Sequence, residues 1–126
     1  MAYIFDPESR KITLPAGDTL DIRVKIKSGE YDAALFAVYD RKTGADVVSV
    51  PVEIDGNETH IRLANRHTRD VPAGNYKWNI RLVSDAEYGE DGKIIVNDDS
   101  DDVLTVFGPD NDSIPNFVIR RNGANV

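Results

Sequence analysis

Cysteine is absent from this 126-residue sequence, and tryptophan and methionine occur once each. Without cysteine there can be no disulfide and no thiolate metal site, and the chain suits a reducing compartment. The two histidines, His60 and His67, stand seven residues apart, which matches no helical ligand pair. Long apolar runs are missing too: none approaches the roughly 18 residues that a membrane span requires. The opening MAYIFDPESRK has no basic region followed by an apolar one, so no secretion signal is expected. Helical periodicity is nowhere sustained over about ten residues. There is no glycine-rich phosphate loop, no dinucleotide fingerprint and no Gly-x-Ser-x-Gly nucleophile elbow.

What remains is short, alternating and β-like. Hydrophobic residues make up 40% of the chain, enough for one compact domain over residues 1–126. In VPAGNYKWNIRLV, residues 71–83, a turn precedes strict alternation. Tyr76, Trp78, Ile80 and Leu82 fall on one side, and Lys77, Asn79 and Arg81 on the other, as in a strand with one buried face. This strand carries the only tryptophan and is expected at the centre of the core, with Tyr76 and Trp78 as structural residues. Leu20, Ile22, Val24 and Ile26 alternate with Asp21, Arg23, Lys25 and Lys27 in a second amphipathic strand. Ala34–Tyr39 is apolar on both faces, which suits an interior strand. Pro51 demotes the 47–52 strand to an edge or a strand end. Asp55-Gly56 predicts a hairpin turn, Ala64–Asp70 can form one helical turn, and Tyr88–Gly92 reads as a hairpin loop. Pro-Ala-Gly occurs at 15–17 and again at 72–74, each time before an alternating strand, and is expected to be one turn used twice. About eight or nine short strands, spaced by turn residues, predict an all-β antiparallel β-sandwich.

The charge is unevenly placed. Residues 1–82 balance twelve basic against twelve acidic side chains, whereas residues 83–126 carry three basic and ten acidic ones, so the whole net charge of −7 lies in the last third. That distribution argues against a phosphate-backbone partner for that region. It suits either a solvated acidic surface or contact with a basic neighbour in an assembly. Asp98, Asp99, Asp101 and Asp102, with Asp110 and Asp112, are dense enough to consider calcium. The Asp-x-Asp-x-Asp-Gly order and the distant bidentate Glu are missing, however, and no metal or other cofactor is expected. His60 is expected on a strand face and His67 in a surface loop, neither of them catalytic. Tyr31, Tyr39 and Tyr88 are candidates for stacking on a sugar.

Two resemblances add to this. Pro-Ala-Gly-Asn-Tyr-Lys-Trp at 72–78 is similar to the entry into strand F of immunoglobulin-like and fibronectin-type sandwiches. There a tyrosine makes a corner by bonding back to nearby backbone, the role Tyr76 would hold. Trp78 stands where antibody domains place a cysteine. Ile12 to Leu20, the strand at 33–39 and Pro-Ala-Gly-Asn-Tyr-x-Trp-x-Ile together resemble the N-terminal domain of phage baseplate upper proteins and related small tail proteins, over about residues 10–107. The resemblance implies a non-enzymatic, immunoglobulin-like virion component of a phage tail or baseplate, made in the bacterial cytoplasm. Its partners would be other virion proteins and further copies of itself, with neither nucleic acid nor membrane. Residues 1–9 and 108–126 are then candidate interaction arms, with Tyr3, Phe5, Ile114 and Phe117 as interface anchors, since they lie in apolar pieces outside the strand pattern. The alternative is a small sandwich module that binds carbohydrate or a cell surface.

Overall fold

A computed structural model describes residues 3–6, 8–25, 31–55, 58–84, 86–96, 103–106 and 115–120, with the backbone alone for 103–106. In chain order the strands are β1 (Ile4–Phe5), β2 (Ile12–Pro15), β3 (Leu20–Lys25), β4 (Ala33–Tyr39), β5 (Asp46–Asp55) and β6 (Glu58–Leu63). After a single helical turn, α1 (Asn65–Thr68), come β7 (Gly74–Val83), β8 (Glu87–Tyr88), β9 (Ile94–Ile95), β10 (Val103–Val106) and β11 (Asn116–Arg120). The main sheet runs β1-β2-β11-β7-β4-β5-β6-β3, with β10 also paired to β7, and β8–β9 form a separate two-stranded sheet.

The protein is all-β, but the sheet is mixed where an antiparallel one was expected. β11 lies between β7, to which it is antiparallel, and β2, to which it is parallel. Parallel neighbours need a long connection, and here almost the whole chain separates the two strands. β5 makes the sheet curl. Its first part pairs with β4, and from Glu53 onward it pairs with β6 instead. Pro51 stands opposite Leu35 of β4, just before that exchange, where β5 has no second neighbour among the described strands. A residue without an N–H fits there because no ladder donor is needed on the open side. β5 is thus an edge at Pro51 without ending there. Tyr3 Oη, beside the first strand of the path, donates to the Asp21 carbonyl of the last strand (2.9 Å), so the two ends of the curl meet.

One apolar cluster fills the interior. Tyr76, Trp78, Ile80 and Leu82 of β7 all point into it, as the alternation predicts, and Trp78 is fully buried. β3 supplies Leu20, Ile22 and Val24 while its other face stays exposed. β4 supplies Ala34, Phe36 and Val38. The Phe36 ring lies 5.6 Å from that of Trp78 and 6.2 Å from that of Phe117, both tilted, as aromatic pairs prefer. Trp78 Nε1–H donates to the Arg10 carbonyl (3.0 Å), so its one polar atom is satisfied despite burial. Arg10 holds a positive φ of 59° in the β1–β2 hairpin, where its N–H donates to Asp6 O (2.7 Å).

The two Pro-Ala-Gly segments are not one turn used twice. In the first, Gly17 has φ 81° and Asp18 N–H donates to Pro15 O (3.0 Å), the geometry of a type II turn that favours glycine. In the second, Gly74 is already in β7 without a positive φ. Instead the Tyr76 hydroxyl donates to Pro72 O (2.6 Å) and holds that corner from four residues away. The first turn is tied elsewhere: Gly17 N–H donates to Oγ1 of the buried Thr68 in α1 (3.0 Å).

Candidate functional site

Beyond Val83 the chain leaves the main sheet and folds back over its outer face. Asp32 fastens this corner: its N–H donates to Val83 O (2.8 Å), and its Oδ2 accepts from Ala86 N–H (3.0 Å). β8 and β9 then pair with Glu87 opposite Ile95 and Tyr88 opposite Ile94. The turn between them is closed by Gly89 N–H to Lys93 O (2.8 Å) and by Lys93 N–H to Asp91 Oδ1 (3.0 Å). Gly92 supplies the positive φ of 78° that lets the chain reverse.

Between this hairpin and the sheet lies a cleft of about 440 Å³, within the range of roughly 300–1,000 Å³ usual for ligand pockets. Leu35, Pro51, Val52 and Ile54 line it from β4 and β5, and Tyr88 and Ile94 line it from the hairpin. Asp32, Ser49, Glu53 and Lys93 add polar groups and are all solvent-exposed. Among the described residues, Tyr88 and Ile95 are two of the three large hydrophobic side chains left exposed, at 59% and 51%; the third is Ile4 on β1, at 62%. The cleft thus offers an apolar floor, an exposed ring and charges of both signs. Neither histidine is among the lining residues.

A second cluster occupies the outer face of β3 and β6. His60 is 92% buried yet on the charged face, and its Nε2 is in hydrogen-bond contact with the Asp21 carboxylate and with Arg62 Nε–H (3.2 Å). The hydrogen bond with His60 holds the Asp21 carboxyl below its ordinary range, and Arg62 and Arg23 act in the same direction. Arg23 also pairs with Asp55 (3.5 Å). This is an ion cluster that covers a strand histidine. His67 lies in α1 rather than in a loop, and its Nδ1 accepts from Ala64 N–H (2.9 Å). Burial pushes its pKa below the ordinary value, as does the neighbouring Arg66. On the outer face of β7, Arg81 pairs with Asp46 (3.7 Å). Asn79 is buried there, and its Oδ1 has no hydrogen-bond partner among the described residues.

The expected interface anchors separate. Phe117 is wholly buried against Phe36, in a strand flanked on both sides, so it is a core residue and not an anchor. The 108–126 segment is correspondingly no free arm over residues 116–120, which form β11. Tyr3 and Phe5 are half-buried against the core beside β2. Ile114 lies outside the described residues, as do the acidic runs at 97–102 and 110–112 that were considered for calcium. Among the described residues no three metal-ligating side chains come together, and no helix is long and apolar enough to cross a membrane. Of the three tyrosines considered for sugar stacking, Tyr31 and Tyr39 are half-buried and Tyr88 stands free at the cleft. Sequence reasoning missed the cleft, although Leu35 signalled it: an apolar residue on the outward face of β4 needs a cover, and the hairpin is that cover.

No protein-family model matches the chain, and no curated protein or solved structure is significantly similar to it.

Proposed function

We propose that this chain is a non-enzymatic structural component of a phage virion, in the tail or baseplate, acting through protein–protein contacts on an immunoglobulin-like sandwich. The observation that carries the contact reading is the β8–β9 hairpin, which leaves Tyr88 and Ile95 exposed beside an apolar cleft. Exposed apolar surface of this kind marks interaction sites on folded domains. The immunoglobulin-like reading is supported by the bond from the Tyr76 hydroxyl to Pro72 O at the start of β7, the geometry of a tyrosine corner. It is supported further by the passage of β5 from one side of the curl to the other. The virion reading rests on the resemblance of residues 12–20, 33–39 and 72–80 to phage baseplate upper proteins and related small tail proteins. Antibody labelling of purified phage particles tests it: label confined to the tail end is expected, and particles free of the protein would overturn it.

A second reading, a carbohydrate-binding module, is favoured by Tyr88 alone, an exposed ring beside Ser49, Glu53 and Lys93. Aromatic faces next to polar groups suit sugars. A glycan array without hits would dispose of it.

A further inference from the structure

Resting on the protein-contact reading, we infer that the cleft beneath the β8–β9 hairpin receives an extended basic segment of a partner protein, with one apolar side chain inserted between Tyr88, Ile94 and Leu35. Three features of the site select that occupant. The lining is aliphatic and aromatic at its centre, so what enters is apolar. The surroundings are acidic: Asp32 and Glu53 line the cleft with one cation, Lys93, and the hairpin carries the exposed Glu87, Glu90 and Asp91 as well. All these groups are exposed, and together they repel phosphate and carboxylate while attracting Lys and Arg. Finally, β8 and β9 pair only with each other among the described strands, so each keeps an outer edge with backbone donors and acceptors that an extended chain can meet. A free small molecule would use the first feature alone, whereas a basic peptide uses all three.

The wild-type chain can be offered a display library of random dodecapeptides. Enrichment of sequences with Lys or Arg on both sides of an aliphatic or aromatic residue is expected. The best of these peptides, made synthetically, is then titrated against two variants altered only at exposed positions, Glu87→Lys/Glu90→Lys and Tyr88→Ser, each checked for an unchanged thermal midpoint. Charge reversal should weaken binding about tenfold, and raising the salt should erase most of that difference. Tyr88→Ser should weaken binding at every salt concentration. Enrichment of peptides without basic residues, an affinity indifferent to both variants, or no enrichment at all would each overturn the inference. So would a wild-type dimer in native mass measurement that Tyr88→Ser converts to monomer, because the occupant would then be a second copy. Any of these outcomes leaves the virion reading standing if the antibody still labels particles, and that reading falls separately if it does not.

Discussion

Tyr76 and Tyr88 are twelve residues apart in sequence and belong to regions built on opposite terms. β7 is flanked by β4 on one side and by β10 and β11 on the other, and its tyrosine spends its hydroxyl on the backbone of its own corner. The chain entering the hairpin is fastened to Asp32 through Ala86 N–H, and the hairpin's tyrosine faces solvent beside the cleft. The same residue type therefore secures the fold in one place and stands exposed in the other. Under the proposed contact reading, stability and contact are divided between successive segments, so damage to the first should abolish everything while damage to the second should be silent until a partner is added.

The largest effects fall on the first region. Trp78→Ala should cost about 3–5 kcal/mol, from lost burial, a cavity beside Phe36 and the lost hydrogen bond to the Arg10 carbonyl. Phe117→Ala should cost a similar amount, about 3–5 kcal/mol, and is the sharper experiment. If β11 were a detachable arm, the denaturant midpoint would hardly move. Tyr76→Phe keeps the ring and removes only the bond to Pro72 O, for a loss of about 1 kcal/mol in the same denaturation assay. On the second region, Ile95→Ser should stay within about 0.5 kcal/mol of wild type, since the side chain is already half in water. A loss as large as that for Tyr76→Phe would mean that the hairpin is part of the stabilising frame, and the contrast would collapse.

How much of this contrast was legible beforehand depended on whether it was local. The alternation of β7 and of β3 is set by residues two apart, and both strands bury the faces it predicts. The helical turn at 65–68 and the reversal between β8 and β9 follow from local residue preferences as well. What could not be read involves partners far away in the chain. Phe117 looked like an arm because nothing near it in sequence shows that β2 and β7 will flank it. The two Pro-Ala-Gly segments share letters but not backbone, since Thr68 receives the first and Tyr76 the second. The cleft needed the hairpin to fold across β4 and β5, and only Leu35, apolar on an outward face, hinted at it.

The smallest expected effect is a pH dependence near neutrality, and it probes the corner that leads into β7. His67 Nδ1 accepts the Ala64 N–H, so it must be unprotonated to act, and burial together with Arg66 lowers its pKa below the ordinary 6.5. Its contribution is therefore complete above the ordinary value. As pH falls below that value the unfolded chain takes up the proton first, and stability declines until the folded state's own lower pKa is passed. Thermal midpoints measured between about pH 7 and about pH 5 should fall in the wild type, and fall less in His67→Gln. Asp21 acts in a different window. Its carboxyl is held below 3.8, chiefly by His60, so what it contributes persists through this range and is lost only in stronger acid, as pH drops through the folded value. If His67→Gln showed the same decline as the wild type, protonation at α1 would not be its source. The entry to β7 would then rest on other contacts, among them the Tyr76 bond to Pro72 O and Val71 packed on the core.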